Sequence, residues 1–279
     1  METQSVITLS HVNKTYSNGT VALQDLNLDI KAHEFISLVG PSGCGKSTVL
    51  RLIAGLGQVS TGEIRCHVDL QEQKLAFVFQ ESALMPWATV WDNVRLPLTL
   101  ANCPRAIANS NVSEAIQLVD LQGFEQAYPR ELSGGMRMRV SIARSLVTHP
   151  EILLMDEPFG ALDEMTRSRL NSDLLTLWQQ KQWTVVFVTH NIYEAVYLSN
   201  RVVVMAARPG RVVADIEIPA PYPRTQNFRT SPEFNAYCRR ILAALAQPSS
   251  EDEPEDQLNA SARSPDSMTA DSINSSFRS

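Results

Sequence analysis

At 279 residues, 44% of them hydrophobic, the chain has material for one large domain or two modest ones, each with a core. Its net charge of −6 is concentrated at one end: from Glu251 onward seven acidic residues stand against two arginines, so residues 1–250 are nearly neutral, without the basic excess that favours nucleic acid. Four cysteines (Cys44, Cys66, Cys103, Cys238) lack metal-ligand spacing and suggest a reduced compartment, while the absence of a signal-peptide pattern and of a run of about 18 apolar residues predicts no leader and no membrane span.

Taken in chain order, residues 6–12 read as a strand and residues 17–20 hold the Asn-Gly of a tight turn. Residues 26–30 alternate apolar and polar side chains, as a half-buried antiparallel strand does. Residues 34–40 are nearly all apolar and end in glycine, the pattern of a parallel strand buried on both faces. Val49, Leu50, Ile53 and Leu56 then recur at near-helical spacing. Residues 75–79, 151–157 and 184–190 are further short apolar strands, with a helix expected over 165–180. The stretch 82–132 shows no strong strand pattern and reads as a helical insertion, with a helix over 113–120 capped by Ser113 and Ile116 and Val119 on one face. Residues 130–146 form a basic amphipathic helix entered at Ser133, and 201–218 read as a hairpin followed by a last helix before 247. Residues 248–279 are rich in Ser, Asp, Glu, Pro and Asn and are expected to be a disordered acidic tail. Strands alternating with helices imply an α/β domain over 1–247: a mainly parallel sheet, an antiparallel β subdomain and inserted helices.

Two motifs carry chemistry. Gly40, Pro41, Ser42, Gly43, Cys44, Gly45, Lys46, Ser47 and Thr48 match G-x-x-x-x-G-K-[ST] between a strand and a helix, the context of a phosphate-binding loop. Its amides and the helix N-terminus would cradle phosphate oxygens, Lys46 would reach the β- and γ-phosphates, and Ser47 would ligate Mg²⁺. The strand at 152–157 delivers Asp156 and Glu157 at its carboxyl end, where α/β sheets place ligands. Asp156 suits Mg²⁺ held through water, and Glu157 suits orienting or deprotonating an attacking water. Gln80 and His190 each end a strand, and Tyr16 could stack on a base; each alone is an ordinary structural residue. One feature resists a local reading: Gly134 and Gly135 open a helix, at a cost of roughly 1 kcal/mol each in propensity.

With these residues in place, the chain resembles the ATP-binding cassette family over about 6–213. Tyr16, the phosphate loop, Gln80, LSGGM at 132–136, ILLMDE at 152–157 and His190 occur in the family's order, and ALD at 161–163 is similar to its D-loop. The resemblance implies an ATPase on a P-loop core, using ATP and Mg²⁺ in a head-to-tail dimer with a second cassette. In that dimer Ser133, Gly134 and Gly135 would face the partner's phosphate loop, and Asp163 would tie the two sites together. His190 would contact the γ-phosphate, and Gln80 would link Mg²⁺ and the water to the helical insertion. Met136 stands where the family's commonest signature has Gln. The segments around 80–94, 136–146, 156–163 and 223–241 look like those of nitrate/sulfonate/taurine-type importers; importers of pyrimidine or riboflavin-type vitamin precursors share similar segments. For such an importer the resemblance implies membrane permease subunits, an extracytoplasmic substrate-binding protein, no nucleic acid, and a peripheral place on the cytoplasmic face of the inner membrane. Leu84, Met85, Trp87 and Trp91 would then line an apolar groove for a short helix of the membrane subunit, against the plainer reading that they are core. A soluble cassette acting on nucleic acid or ribosomes, and an exporter's detached ATPase, are the competing classes.

Overall fold

Alternating and continuous apolar patterns resolve into two sheets. The computed structural model describes residues 5–67, 74–207 and 209–246, all within one compact unit, Met1–Gln247; the tail expected after 247 lies outside the described residues. The first half forms β1 (Ser5–Thr15), β2 (Val21–Lys31), β3 (Phe35–Val39), α1 (Lys46–Ile53), β4 (Thr61–Cys66) and β5 (Leu75–Val78). Three helices follow, α2 (Val90–Leu100), α3 (Arg105–Leu118) and α4 (Gly134–Leu146). The remainder runs β6 (Ile152–Asp156), α5 (Glu164–Lys181), β7 (Thr184–Val188), α6 (Ile192–Leu198), β8 (Arg201–Ala206), β9 (Arg211–Glu217), α7 (Gln226–Arg229) and α8 (Pro232–Leu245).

The larger sheet has the order β5-β6-β7-β3-β8-β9, parallel except for β9 against β8. Its central strands are buried on both faces, and residue parity assigns each side chain to one of two cores. Phe35, Leu153, Met155, Val185 and Phe187 face the core built with the helices. Ile36, Leu38, Ile152, Leu154, Val186 and Val188 face the core shared with α1 and the smaller sheet. That two-sided burial is why these strands are continuously apolar. The smaller sheet, β2-β1-β4, is antiparallel; Leu26, Leu28 and Ile30 of β2 point inward and the residues between them outward, as their alternation predicts.

Two sequence expectations change, and one strand joins those the sequence predicts. The helix placed at 113–120 begins at Arg105, with Pro104 at the cap position, so Ser113 lies inside α3; Ala108, Val112, Ala115 and Ile116 form its buried stripe. Alanines on that stripe weaken the apolar signal, and the proline start carries no capping side chain. Leu56 lies beyond the end of α1 and is exposed. β4 had no strand signal because its side chains are exposed or half-buried and it is held by backbone pairing to β1.

Candidate functional site

The central strand β3 leads straight into the glycine-rich loop. Gly43 and Gly45 adopt φ of +79° and +91°, conformations that side chains rarely tolerate. A Cβ on Gly45 would also stand 2.6 Å from Leu23 Cδ2 and 2.8 Å from the Ala22 carbonyl. Gly45 occupies the N-cap of α1 and offers no side-chain cap, so the first amides of that helix point into the loop unclaimed by a capping group. The Lys46 side chain is buried and donates to the carbonyls of Gly40 at 2.8 Å and Pro41 at 3.0 Å, which places its ammonium at the loop's mouth.

Two neighbouring strands bring the other groups to the same end of the sheet. Ser47 Oγ donates to Asp156 Oδ1 at 2.8 Å, joining residues 109 apart. Burial pushes the Asp156 carboxyl above the usual carboxylate range, against the opposing hydrogen bond from Ser47. Pairing of β6 with β7 sets Asp156 opposite Val188, so the residues that follow, Glu157 and His190, emerge side by side. His190 Nδ1 lies 3.0 Å from Glu157 Oε2. Glu157 itself has φ +46°, with its amide on the Val188 carbonyl at 2.9 Å. A non-glycine residue there is uncommon, and such backbone concentrates at functional sites. β5 pairs with β6 so that Val78 is opposite Met155; Gln80, exposed two residues beyond, is therefore level with Glu157. Tyr16 comes from the end of β1: its hydroxyl is 3.1 Å from Thr48 Oγ1 and its ring is partly exposed, with Lys14 Nζ at 5.3 Å from the centroid.

The structure thus gathers Tyr16, the 40–48 loop, Asp156, Glu157 and His190, with Gln80 beside them. Ser133, Gly134, Gly135 and Asp163 make their contacts elsewhere in the chain. Ser133 caps α4, accepting from the Met136 amide at 3.2 Å. Asp163 caps α5, accepting from the Thr166 amide at 3.0 Å, a bond that holds its carboxyl below the usual range. The start of α5 packs on the start of α4: a Cβ on Gly135 would stand 2.7 Å from Thr166 Cγ2, whereas one on Gly134 would meet Leu162 Cδ2 at a tolerable 3.4 Å. Gly135 therefore has a reason for being glycine inside its own chain, which reading the signature alone does not reveal. The cleft around it, about 310 Å³, is lined by Ser133, Met136, Arg139, Thr166 and Arg169 among others, and by no residue of the phosphate loop.

Two residues that the sequence did not single out organise the segment after Gln80. Arg144 of α4 donates through separate guanidinium nitrogens to the carbonyls of Ser82 and Ala83, both at 2.8 Å. Asn93 is fully buried; it accepts from the Met85 amide at 2.8 Å and donates toward the carbonyls of Met85, Ala88 and Thr89. Their partners are backbone atoms, which leave no residue-type signature. Leu84 of that segment and Trp91 in the first turn of α2 pack on the core, Met85 is half-buried, and Trp87 is 76% exposed. The apolar cluster expected there is thus partly core and partly surface.

Comparison with known proteins places this geometry. Residues 23–160 match a family model described as ABC transporter. The chain is 45% identical over 242 residues to the aliphatic sulfonates import ATP-binding protein SsuB of Bacillus cereus, covering 85% of this chain and 94% of that one. Among solved structures it is similar to the dimeric bacterial ABC transporter cassette MJ0796, with a TM-score of 0.68, 34% identity and coverage of 77% of this chain and all of that one. A second structure of that cassette, in a post-hydrolysis state bound to ADP and Pi, matches to the same degree.

Proposed function

From the chain's membership of the ABC transporter family of ATPases, we propose that it is the ATP-hydrolysing subunit of an importer for a small anionic solute, an aliphatic sulfonate first among them. Identity of 45% across nearly the whole of a sulfonate-import ATPase carries the solute class. The placement of Glu157 and His190 beside the phosphate loop supports the chemistry.

In this reading the 40–48 loop and the α1 N-terminus bind the phosphates of ATP, with Lys46 on the β- and γ-phosphates and Tyr16 against the base. Glu157 takes the proton from a water that attacks the γ-phosphorus as ADP departs, and His190 orients Glu157 and the γ-phosphate. Ser47 and Asp156, with Gln80 near them, would hold Mg²⁺: their oxygens meet at 2.8 Å beside the phosphate loop, and Mg²⁺ binds through one or two protein oxygens plus phosphate and water. When bound, it neutralises charge on the β- and γ-oxygens.

A second copy or a related cassette would supply Ser133, Gly134 and Gly135 to the γ-phosphate in trans, with Asp163 at the seam. ATP then drives closure because its contacts to both partners exist only in the closed state. Closure passes through Gln80 and the 82–132 insertion to permease subunits, and the Arg144 bonds to Ser82 and Ala83 give α4 a physical hold on that segment. Trp87 supplies an exposed anchor for a short permease helix. Among the described residues no helix is long and apolar enough to cross a membrane; as the ATPase of an importer the chain would sit peripherally on the cytoplasmic face of the inner membrane. The proposed cassette domain is 1–247, with 248–279 as an acidic extension.

The test is reconstitution with the cognate permease and binding protein in liposomes. ATP hydrolysis should rise when the binding protein is loaded with an alkanesulfonate. Stimulation by a thiamine-precursor pyrimidine or riboflavin instead would overturn the solute class, and ATPase activity indifferent to any permease would overturn the importer role.

A further inference from the structure

The turn that follows Glu157 is held by a side chain that the proposed chemistry does not use. Arg167 lies in the first turn of α5, its amide bonded to the Asp163 carbonyl at 2.9 Å. Long side chains on a helix fold back toward its N-terminus, and this one reaches the loop that precedes the helix. Its Nε donates to the Phe159 carbonyl at 3.3 Å and its Nη2 to the Leu162 carbonyl at 2.7 Å. Nη1 donates to Glu164 Oε2 at 3.1 Å. The guanidinium thus spans the turn 159–162, and its side chain is 18% exposed against 74% for Glu164. One end of the turn adjoins the Glu157–His190 pair. The Gly160 amide donates to the Glu157 carbonyl at 3.1 Å, and a Cβ on Gly160 would lie 3.7 Å from Glu157 Oε2 and 3.8 Å from His190 Cε1. The other end adjoins the start of α4, where Leu162 Cδ2 would be 3.4 Å from a Cβ on Gly134.

We propose that Arg167 is a positioning residue that couples the chain's own hydrolytic pair to the elements it presents to a partner. Phe159 is anchored in the core, 1% exposed, with its ring 6.0 Å from that of Phe187. Arg167 fixes Leu162 relative to that anchor, and Asp163 follows Leu162 directly. A shift of Gly134, Gly135 or Asp163 on engaging a partner's nucleotide therefore passes through the clamped turn to Glu157 instead of being absorbed by the loop. A planar guanidinium suits this task because its nitrogens diverge at fixed angles and so hold two carbonyls at a set separation. An ammonium is a single point charge and holds no such separation. The ion pair with Glu164 adds little, since that carboxylate is exposed to solvent. The proposal rests on the reading of Glu157 and His190 as the hydrolytic pair, and of Ser133, Gly134, Gly135 and Asp163 as elements that serve a partner's ATP.

Amide hydrogen exchange of the full-length protein without nucleotide reads the clamp directly. Arg167→Ala should speed exchange across 159–163 by about 10-fold, the scale of one or two lost hydrogen bonds, and leave the 40–48 loop unchanged. Kinetics read the coupling. Arg167→Ala should lower kcat by about 10- to 100-fold with KM for ATP nearly unchanged. Its Hill coefficient for ATP should fall from above one in the wild type to about one, a change that loosened packing alone does not produce. Arg167→Lys should share both defects, whereas Glu164→Gln, which removes only the exposed ion pair, should match the wild type. A lowered kcat with the Hill coefficient intact overturns the coupling. Wild-type behaviour of Arg167→Lys, or equal impairment of Glu164→Gln, overturns the two-carbonyl clamp. If Arg167→Ala does not fold, Arg167→Lys, which keeps the aliphatic stem, carries the same expectations in exchange and kinetics. The two readings fail separately. Unchanged exchange overturns the clamp even in a fully active enzyme, while the expected rise in exchange beside a wild type that neither hydrolyses ATP nor dimerises with it refutes the hydrolytic reading.

Discussion

Gly135 offers the sharpest separation of folding from function. Substituting alanine adds a Cβ that would stand 2.7 Å from Thr166 Cγ2, well inside contact distance, on a β-branched side chain with little freedom to swing away. Relieving that overlap means moving the start of α4 or α5, at about 1–3 kcal/mol for an overpacked site. Alanine recovers at most about 1 kcal/mol in helix propensity, less in a first turn. The net expectation for Gly135→Ala is a loss of up to about 2 kcal/mol, set by these two terms. Gly134→Ala, with its Cβ at 3.4 Å from a flexible leucine terminus, should be neutral or slightly stabilising. Thr166→Ser removes Cγ2 while keeping the amide that Asp163 caps, so it should restore the stability of Gly135→Ala in a double-mutant cycle. Urea denaturation of the four proteins measures the coupling. If Gly135→Ala is as stable as wild type, or Thr166→Ser fails to rescue it, the packing argument is wrong. The rescued double variant should then fold normally and dimerise with ATP as the wild type does, because the added Cβ points at Thr166 of its own chain and not toward a partner's γ-phosphate.

Glu157→Gln should retain ATP binding, accumulate a closed dimer on gel filtration, and lose at least ~100-fold in turnover, the scale expected for removing a general base; wild-type turnover would end that assignment. Arg144→Ala should cost about 1 kcal/mol and raise hydrogen exchange across 81–86 without disturbing the phosphate loop. Arg144→Lys should not restore protection, since one ammonium cannot reproduce the two-pronged contact. Trp87→Ala should change stability by less than about 0.5 kcal/mol, as for other exposed sites, while weakening co-purification with the permease. Unchanged co-purification would remove Trp87 from that interface.

Much of the molecule was legible in local patterns. Loop spacing, the apolar strands at 34–40, 151–157 and 184–190, and the Ser133 cap depend on neighbours within a few residues. Misreadings arose where local signals are weak or misleading. Small alanines hide the buried stripe of α3, and an exposed strand such as β4 owes its existence to the partner it pairs with. Arg144 and Asn93 act on distant backbone carbonyls, which look the same in any sequence.

The sequence by itself determined the chemical groups: a phosphate loop, two carboxylates at a strand end, a histidine at another and a glycine-led helix start. It did so because each motif needs particular residue types at fixed short spacing. Only the tertiary structure decided which groups meet. Ser47 reaches Asp156 across 109 residues, and Glu157 reaches His190 across 33, because parallel pairing puts the carboxyl ends of β3, β6 and β7 at one edge of the sheet. The same packing sets Thr166 over Gly135. Those contacts depend on register and helix placement, which the whole core fixes and no short stretch of chain encodes.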